Sequence, residues 1–195
     1  MMSREDVLKV FRDCGALLEG HFLLTSGLHS PHYLQCALVT QHPRVCEDLC
    51  AQLARQLDGV RADAVVGPAV GGIVVAYELA RALDATGIFM ERDNDGVMTL
   101  RRGFALKPGA EVVVAEDVMT TGGSVAEVIA AAEKAGATVA AVVCLVDRGG
   151  LKRFDRKRTA SLLQVEVPTY AAGDCPLCRE GIPLVKPGSR KAPGA

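Results

Sequence analysis

Between Ser3 and Gly15 the apolar side chains Val7, Val10, Phe11 and Cys14 recur at intervals of three and four, the spacing of one helical face. Ser3, with Asp6 three residues on, is a helix-start pair, and Gly15 is a stop. Val45, Leu49, Leu53 and Leu57 repeat every four positions behind Pro43, which suits a first helical turn, so a second helix is predicted over Pro43 to Leu57. The pattern then changes. Short apolar runs at Ala64–Val66, Ile88–Met90, Val112–Ala115 and Val139–Val146 show no polar alternation, as in strands buried on both faces of a parallel sheet. Helical stretches at Ile73–Leu83 and Val125–Ala135 lie between them, the latter with a stripe of Val125, Val128, Ile129 and Ala132 and a stop at Gly136. This order predicts an α/β fold with a central parallel sheet flanked by helices.

The chain has 195 residues, 49% hydrophobic and 23% charged, enough to bury a core without disulfide or metal staples. One domain over residues 1–195 is expected. Lys and Arg number 22 against 23 Asp and Glu, so no overall basic field points to a nucleic-acid or membrane partner. Any phosphate ligand must be gripped locally. No apolar run reaches the roughly 18 residues of a bilayer span, and Met1 to Gly20 is charged throughout, unlike a signal peptide, so a cytoplasmic location is expected. Seven cysteines without framework spacing fit a reducing compartment, with Cys46 and Cys50 one helical turn apart in the core. Only Cys175-Pro-Leu-Cys178 has metal-ligand spacing, but no second pair supplies the two further donors. His21, His29, His32 and His42 lack metal spacing and are read as structural or surface groups, so the expectation is a plain Cys-x-x-Cys turn and no protein-held metal. Beyond Thr169 the composition turns to Pro, Gly and Cys, and Pro187 to Ala195 reads as a loose tail.

The chemistry concentrates after the Val112–Ala115 run, where Glu116-Asp117-Val118-Met119 leads into Thr120-Thr121-Gly122-Gly123-Ser124 and then a helix. Ligands of open α/β sheets bind at the carboxyl ends of strands, and this loop suits an anion at a helix N-terminus. Its glycines let backbone N–H groups point inward, and its hydroxyls add donors. Carboxylates aimed at the same anion would repel it, so Glu116 and Asp117 need another partner, which the vicinal hydroxyls of a sugar provide. A ribose phosphate satisfies both halves; the plainer alternative is a solvated strand end and a capping loop. Gly67 to Gly72, between the Ala64–Val66 strand and the Ile73 helix, forms either a second phosphate nest or a tight turn. No P-loop pattern occurs, and no G-x-G-x-x-G follows a predicted strand, which excludes those two nucleotide sites. Arg148 ends the Val139–Val146 strand, where its fork suits a planar carboxylate or a salt bridge to a local acid such as Asp147.

The hydrophobic run, acid pair and T-T-G-G-S loop resemble the type I phosphoribosyltransferases, in which such a loop holds 5-phosphoribosyl 1-diphosphate. Gly20-His21-Phe22-Leu23-Leu24-Thr25-Ser26-Gly27-Leu28-His29-Ser30-Pro31-His32-Tyr33-Leu34-Gln35 is similar to the N-terminal segment of orotate phosphoribosyltransferases. Gly67-Pro68-Ala69-Val70-Gly71-Gly72 is similar to their diphosphate loop, and Asp147-Arg148 falls where they place an orotate-binding arginine. The tail with Cys175 and Cys178 looks like the extension of a bacterial subgroup. The resemblance implies a type I phosphoribosyltransferase-like sheet with an N-terminal hood at residues 1–40, a core at 60–150 and a C-terminal extension at 170–195. It implies that ribose 5-phosphate passes to orotate, giving orotidine 5′-monophosphate and diphosphate in de novo pyrimidine (UMP) synthesis. Glu116, Asp117, Val118, Met119, Thr120, Thr121, Gly122, Gly123 and Ser124 would then hold the ribose phosphate, and Ala69, Val70, Gly71 and Gly72 the diphosphate. Thr120, Arg148, Tyr33 and Leu34 would hold orotate, with Mg²⁺ carried on the diphosphate and a homodimer sharing its sites.

Glu91 to Phe104 is polar, contains glycine and lies between strands, so it reads as a mobile flap, which the resemblance implies would close over the diphosphate, partly from the other subunit. It has no Lys or His, which leaves Arg92, Arg101 and Arg102 as cations, and Arg92 is the candidate that joins Glu116 and Asp117 in catalysis. Lys152, Arg153, Arg156, Lys157 and Arg158 form a basic cluster, read as a solvated face. Two other functions remain open on these residues: a phosphoribosyltransferase for a purine or uracil, and a regulator that senses the sugar diphosphate and uses the basic cluster on nucleic acid.

Overall fold

The computed structural model describes residues 2–24 and 26–187. Helix α1 (Arg4–Asp13) starts at the capping box that the sequence predicts: Asp6 N–H donates to Ser3 Oγ, and Ser3 N–H donates back to Asp6. Strands β1 (Leu17–Leu23) and β2 (His29–Leu34) form an antiparallel hairpin, followed by α2 (Ala37–Thr40) and α3 (Pro43–Arg55). Then come β3 (Ala64–Pro68), α4 (Gly71–Ala82), β4 (Thr86–Arg92), β5 (Met98–Leu100), β6 (Glu111–Met119), α5 (Gly123–Lys134), β7 (Thr138–Asp147), β8 (Arg158–Gln164) and α6 (Pro176–Arg179). The main sheet runs β5-β4-β3-β6-β7-β8, parallel except for the β4–β5 pair.

Strand alternation divides the interior in two. On β6, Val113 and Ala115 face a core shared with Phe11 of α1, Leu49 and Leu53 of α3 and Leu79 of α4. Val112 and Val114 face the other side, against Val125, Val128, Ile129 and Ala132 of α5. The apolar strand runs therefore cover both faces of the sheet, as their lack of alternation predicts. Leu49, Leu53 and Leu79 are fully buried, each worth about 1.5–3 kcal/mol against exposure. All seven thiols are free, with Cys46 and Cys50 buried on α3.

Several elements depart from the expectation. Strand β6 continues through Glu116-Asp117 to Met119, because its backbone pairs with β7 as far as Met119 opposite Asp147. The segment read as a flap contains the β4–β5 hairpin, with Met98 buried and Arg102 donating to both oxygens of Glu91 at 3.0 Å. The basic cluster is largely a solvated face, as expected, with Lys152, Arg153, Arg156 and Arg158 exposed; Arg158 opens β8 and bonds Gln56 O, and Lys157 pairs with Glu133. Beyond β8 the chain returns to the first hairpin. Tyr170 exchanges two backbone hydrogen bonds with His29, and Val185 runs beside Phe22. Of the tail expected over Pro187 to Ala195, residues 188–195 lie outside the described residues, as does Thr25.

The β3–α4 junction is the tightest point of the packing. A Cβ on Gly67 would stand 2.3 Å from Gly72 O, a backbone atom that cannot swing aside. Gly67→Ala is therefore expected to lower stability by about 1–3 kcal/mol, an overpacking cost. An unchanged urea midpoint would contradict this reading of the junction.

Candidate active site

Strands β3 and β6 part company before either ends. They pair only as far as Val66 opposite Val114, after which β3 stays with β4 and β6 stays with β7. From this gap the connections lead in opposite directions across the sheet, through α4 to β4 and through α5 to β7, which makes it the topological switch point. A cavity of about 940 Å³ opens there.

Both helices that start at this cavity lack a side-chain cap: α4 begins behind Val70 and α5 behind Gly122. By contrast, α1, far from the gap, is capped twice over. Uncapped first-turn N–H groups that face a cavity are anion donors. Gly122 has φ of 71°, a left-handed turn, and a Cβ there would lie 2.8 Å from the Phe154 ring. Glycine is required there on both counts. Thr120 and Thr121 are exposed on the cavity wall, with Val118, Met119, Gly123 and Ser124 beside them.

The acid pair lies between the two helix starts. Both Glu116 and Asp117 line the cavity, and each turns back on the strand: Glu116 Oε1 accepts from Asp117 N–H at 3.1 Å, and Asp117 Oδ1 from Val118 N–H at 2.7 Å. The β3–α4 loop presses on them. A Cβ on Gly71 would stand 2.5 Å from Asp117 Oδ2, and one on Gly72 would stand 3.2 Å from Glu116 Oε1. Ala69, Val70 and Gly71 reach the cavity, whereas Gly72 sits beneath it against Pro68 and Ala115 O. Its part is close packing, so among the predicted diphosphate residues its position is corrected from lining to support.

Arg92 also lines the cavity, but its fork is engaged. Nη1 lies 2.6 Å from Glu127 Oε2 and donates to Gly96 O at 2.8 Å, while Nη2 donates to Glu127 Oε1 at 2.9 Å. To grip a phosphate it must exchange Glu127 for the ligand. Tyr33 projects into the cavity from β2, while its neighbour Leu34 turns to the core at 9% exposure. This corrects the paired wall expected of Tyr33 and Leu34: adjacent residues of a strand face opposite sides.

Arg148 is held behind Met119, its N–H donating to Met119 O. Its Nε is buried without a hydrogen-bond partner, and among the described residues it forms no ion pair. The alternative of a bridge to Asp147 fails because Asp147 Oδ1 accepts from Gly149 and Leu151 N–H. Burial lowers the Arg148 guanidinium below its usual range, with Tyr33 opposing. Burial, and after it the Asp117 carboxylate, pushes the Tyr33 phenol up, with Arg148 opposing. Arg148 is half-buried and stands behind the cavity lining, and an unpartnered guanidinium nitrogen near a phenol suits a planar anion.

Gln35, Glu127 and Pro187 also line the cavity, and the sequence reading did not assign them to it. Glu127 lies off the apolar stripe of α5 one turn from the loop, a signal that was available; Pro187 is far along the chain and only folding brings it near. His21 and His29 are structural in the sense expected, and the fold gives them neighbours that the sequence spacing did not show. His21 and His29 are buried, at 3% and 5% exposure, and they face Cys175 and Cys178. The two donors missing from the sequence spacing come from the β1–β2 hairpin.

A sheet that opens between two uncapped helix starts, with acids between them, suits a phosphorylated sugar, and a family model for the phosphoribosyl transferase domain matches residues 39–173. The chain is 55% identical over 190 residues to an orotate phosphoribosyltransferase of Pelotomaculum thermopropionicum, covering 97% of this chain and 100% of the relative. It is 53% identical over 188 residues to the enzyme of that name from Carboxydothermus hydrogenoformans, covering 95% and 98%. The crystal structure of orotate phosphoribosyltransferase from Aeropyrum pernix matches with a TM-score of 0.67 at 29% identity, over 82% of this chain and 94% of that one. An adenine phosphoribosyltransferase from Thermoanaerobacter pseudethanolicus shares the fold alone, with a TM-score of 0.58 at 20% identity over 69% and 88%. The chain belongs to the phosphoribosyltransferase family and, within it, to the orotate phosphoribosyltransferases.

One measurement probes this geometry. A phenol that keeps its proton more tightly when folded leaves stability unchanged below the unfolded value of about 10 and lowers it as pH rises past that value. The absorbance difference between the wild type and Tyr33→Phe is therefore expected to show Tyr33 ionising above pH 10; ionisation at or below that value would contradict its burial beside Asp117.

Proposed function

We propose that the cavity transfers ribose 5-phosphate from 5-phosphoribosyl 1-diphosphate to N1 of orotate, releasing diphosphate and orotidine 5′-monophosphate for UMP synthesis. The observation that carries this reading is the acid pair between two uncapped helix starts. The α5 start and its Thr120–Ser124 loop receive the 5′-phosphate, and Ala69 to Gly71 receive the diphosphate. Glu116 and Asp117 accept hydrogen bonds from the ribose hydroxyls. Orotate lies near Tyr33 and Thr120, with its carboxylate toward the Arg148 fork.

The charge of orotate sits on its carboxylate, so N1 still gives up its proton as the N1–C1 bond forms and the C1–O bond breaks, and that proton passes to water or to the departing diphosphate. As the C1–O bond breaks, positive charge builds on the ribose and negative charge on the leaving diphosphate. Two carboxylates beside the sugar stabilise the first charge, while backbone N–H groups and Arg92, once released by Glu127, stabilise the second. Holding nucleophile and sugar in line supplies the rest. Among the described lining residues the donors are carboxylates, hydroxyls and backbone groups, with no thiol or imidazole, which fits a hard cation. Mg²⁺ on the diphosphate would add charge neutralisation there and keep most of its waters.

The same reading takes residues 1–195 as one catalytic unit, with 1–40 as hood, 60–150 as core and 170–195 as extension. A homodimer is supported by Val70, Val74 and Tyr77, exposed at 80%, 41% and 66% at helical spacing beside the diphosphate loop. No described helix is long and apolar enough to cross a membrane, and the seven free thiols support a reducing cytoplasm.

The deciding assay follows orotate absorbance with and without 5-phosphoribosyl 1-diphosphate and Mg²⁺. Consumption is expected only when all are present, and activity on adenine, hypoxanthine or uracil alone would redirect the assignment. Asp117→Asn is expected to cut turnover at least tenfold with stability nearly unchanged, since it removes a charge that matters most in the transition state. Equal losses of both would count against that role. Arg148→Ala is expected to raise KM for orotate by about 10- to 100-fold, as for a lost charge-assisted hydrogen bond, and KM for the sugar diphosphate far less.

A further inference from the structure

We propose that His21, His29, Cys175 and Cys178 bind one zinc ion, which fastens the C-terminal segment to the N-terminal hairpin. The four ligand atoms lie within 4.8 Å of one another. His21 Nε2 stands 3.5 Å from Cys175 Sγ and 3.7 Å from Cys178 Sγ, and His29 Nδ1 stands 3.3 Å from Cys178 Sγ. Bond lengths of about 2.0–2.1 Å to nitrogen and 2.3 Å to sulfur in a tetrahedron put nitrogen and sulfur about 3.5 Å apart. The three nitrogen–sulfur edges are close to that figure. The His21–His29 nitrogen separation of 2.8 Å is shorter than the corresponding tetrahedral edge of about 3.3 Å, so the rings part slightly to admit the ion.

The proton inventory favours a cation at the centre. His21 Nδ1 lies 2.7 Å from Ile182 O, a carbonyl that can only accept, so this nitrogen carries the proton and Nε2 presents a lone pair. That one lone pair is faced by His29 and by both thiols, yet it can accept only one good hydrogen bond. A metal ion uses all four donors at once. The Ile182 carbonyl then serves as the outer partner that fixes the tautomer and ring orientation of His21. Two thiolates balance the charge of Zn²⁺, which suits a place where His21, His29 and Cys175 are buried. Cys178 is exposed at the rim and provides the way in. Four protein ligands leave no open position, so the ion is structural.

Its consequence reaches the cavity. Val185, seven residues past Cys178, pairs with the backbone of His21 and Leu23, and Pro187 lines the cavity wall. The ion would hold this wall in place from a site separate from the acid pair, and the inference stands whether or not orotate is the substrate.

Metal content of the reduced full-length protein, grown with zinc, should be about one zinc per chain. Cys178→Ser, at an exposed position, should keep its circular dichroism spectrum and surrender zinc to a chelating dye that leaves the wild type loaded. Cobalt added to metal-free protein should give tetrahedral d–d bands and a thiolate-to-cobalt charge-transfer band, both lost in the Cys175→Ser, Cys178→Ser double variant. Cys14→Ser should change none of these. Absence of zinc together with no cobalt spectrum in the reduced wild type would overturn the proposal, as would stoichiometric zinc in the double variant.

Discussion

The parting of β3 from β6 is the constraint on which the rest of the site depends. While two parallel strands remain paired, their backbone groups satisfy each other and no ligand can enter. Once β3 follows β4 and β6 follows β7, the gap exposes the first turns of α4 and α5 on either side. Gly123 N–H leans on Thr121 Oγ1 at 3.4 Å, and an anionic ligand would complete the remaining first-turn donors. The continued pairing of β6 with β7 carries Glu116 and Asp117 into the opening rather than leaving them on a loose loop.

Placing two carboxylates between two anion cradles would be unfavourable for a simple phosphate. It suits a ligand whose middle is a polyol and whose ends are phosphates, because attraction and repulsion are then sorted along its length. Gly71 and Gly72 make this arrangement compact: with no Cβ, the α4 loop comes close enough for the diphosphate end and the acid pair to share one opening. Arg92 and Glu127 show the complementary economy, since an arginine paired with an acid is stored near the site without leaving an uncompensated charge. Arg148 has no such partner, and its burial against Tyr33 marks where a planar anion would be most stabilised.

The hairpin and the C-terminal segment form a second structural unit around the opening. Backbone bonds from Tyr170 and Val185 stitch the segment to either strand, and the histidine–cysteine cluster lies between those two stitches. Both ends of the chain thus cooperate in one wall, which explains why Pro187 faces a cavity built chiefly from residues 60–150.

The apolar periodicities determined much by themselves: the helices around Phe11, Leu49 and Val128, the buried strands, and the strand-to-helix loop from Thr120 to Ser124 were all legible because local spacing and residue chemistry specify them. The acid pair was legible as a feature of the strand's carboxyl end, where both residues do line the cavity. Its setting within a strand was not, because β6 is prolonged by pairing with β7, a partner distant in sequence. Tertiary structure alone decided that Leu34 turns inward while Tyr33 faces the cavity, that Glu127 occupies Arg92, and that Met98 anchors the β4–β5 hairpin to the core. It also brought His21 and His29 to a cysteine pair some 150 residues away. A one-dimensional spacing rule sees ligands carried on a single turn; donors from separate elements meet only when the chain's ends are packed together.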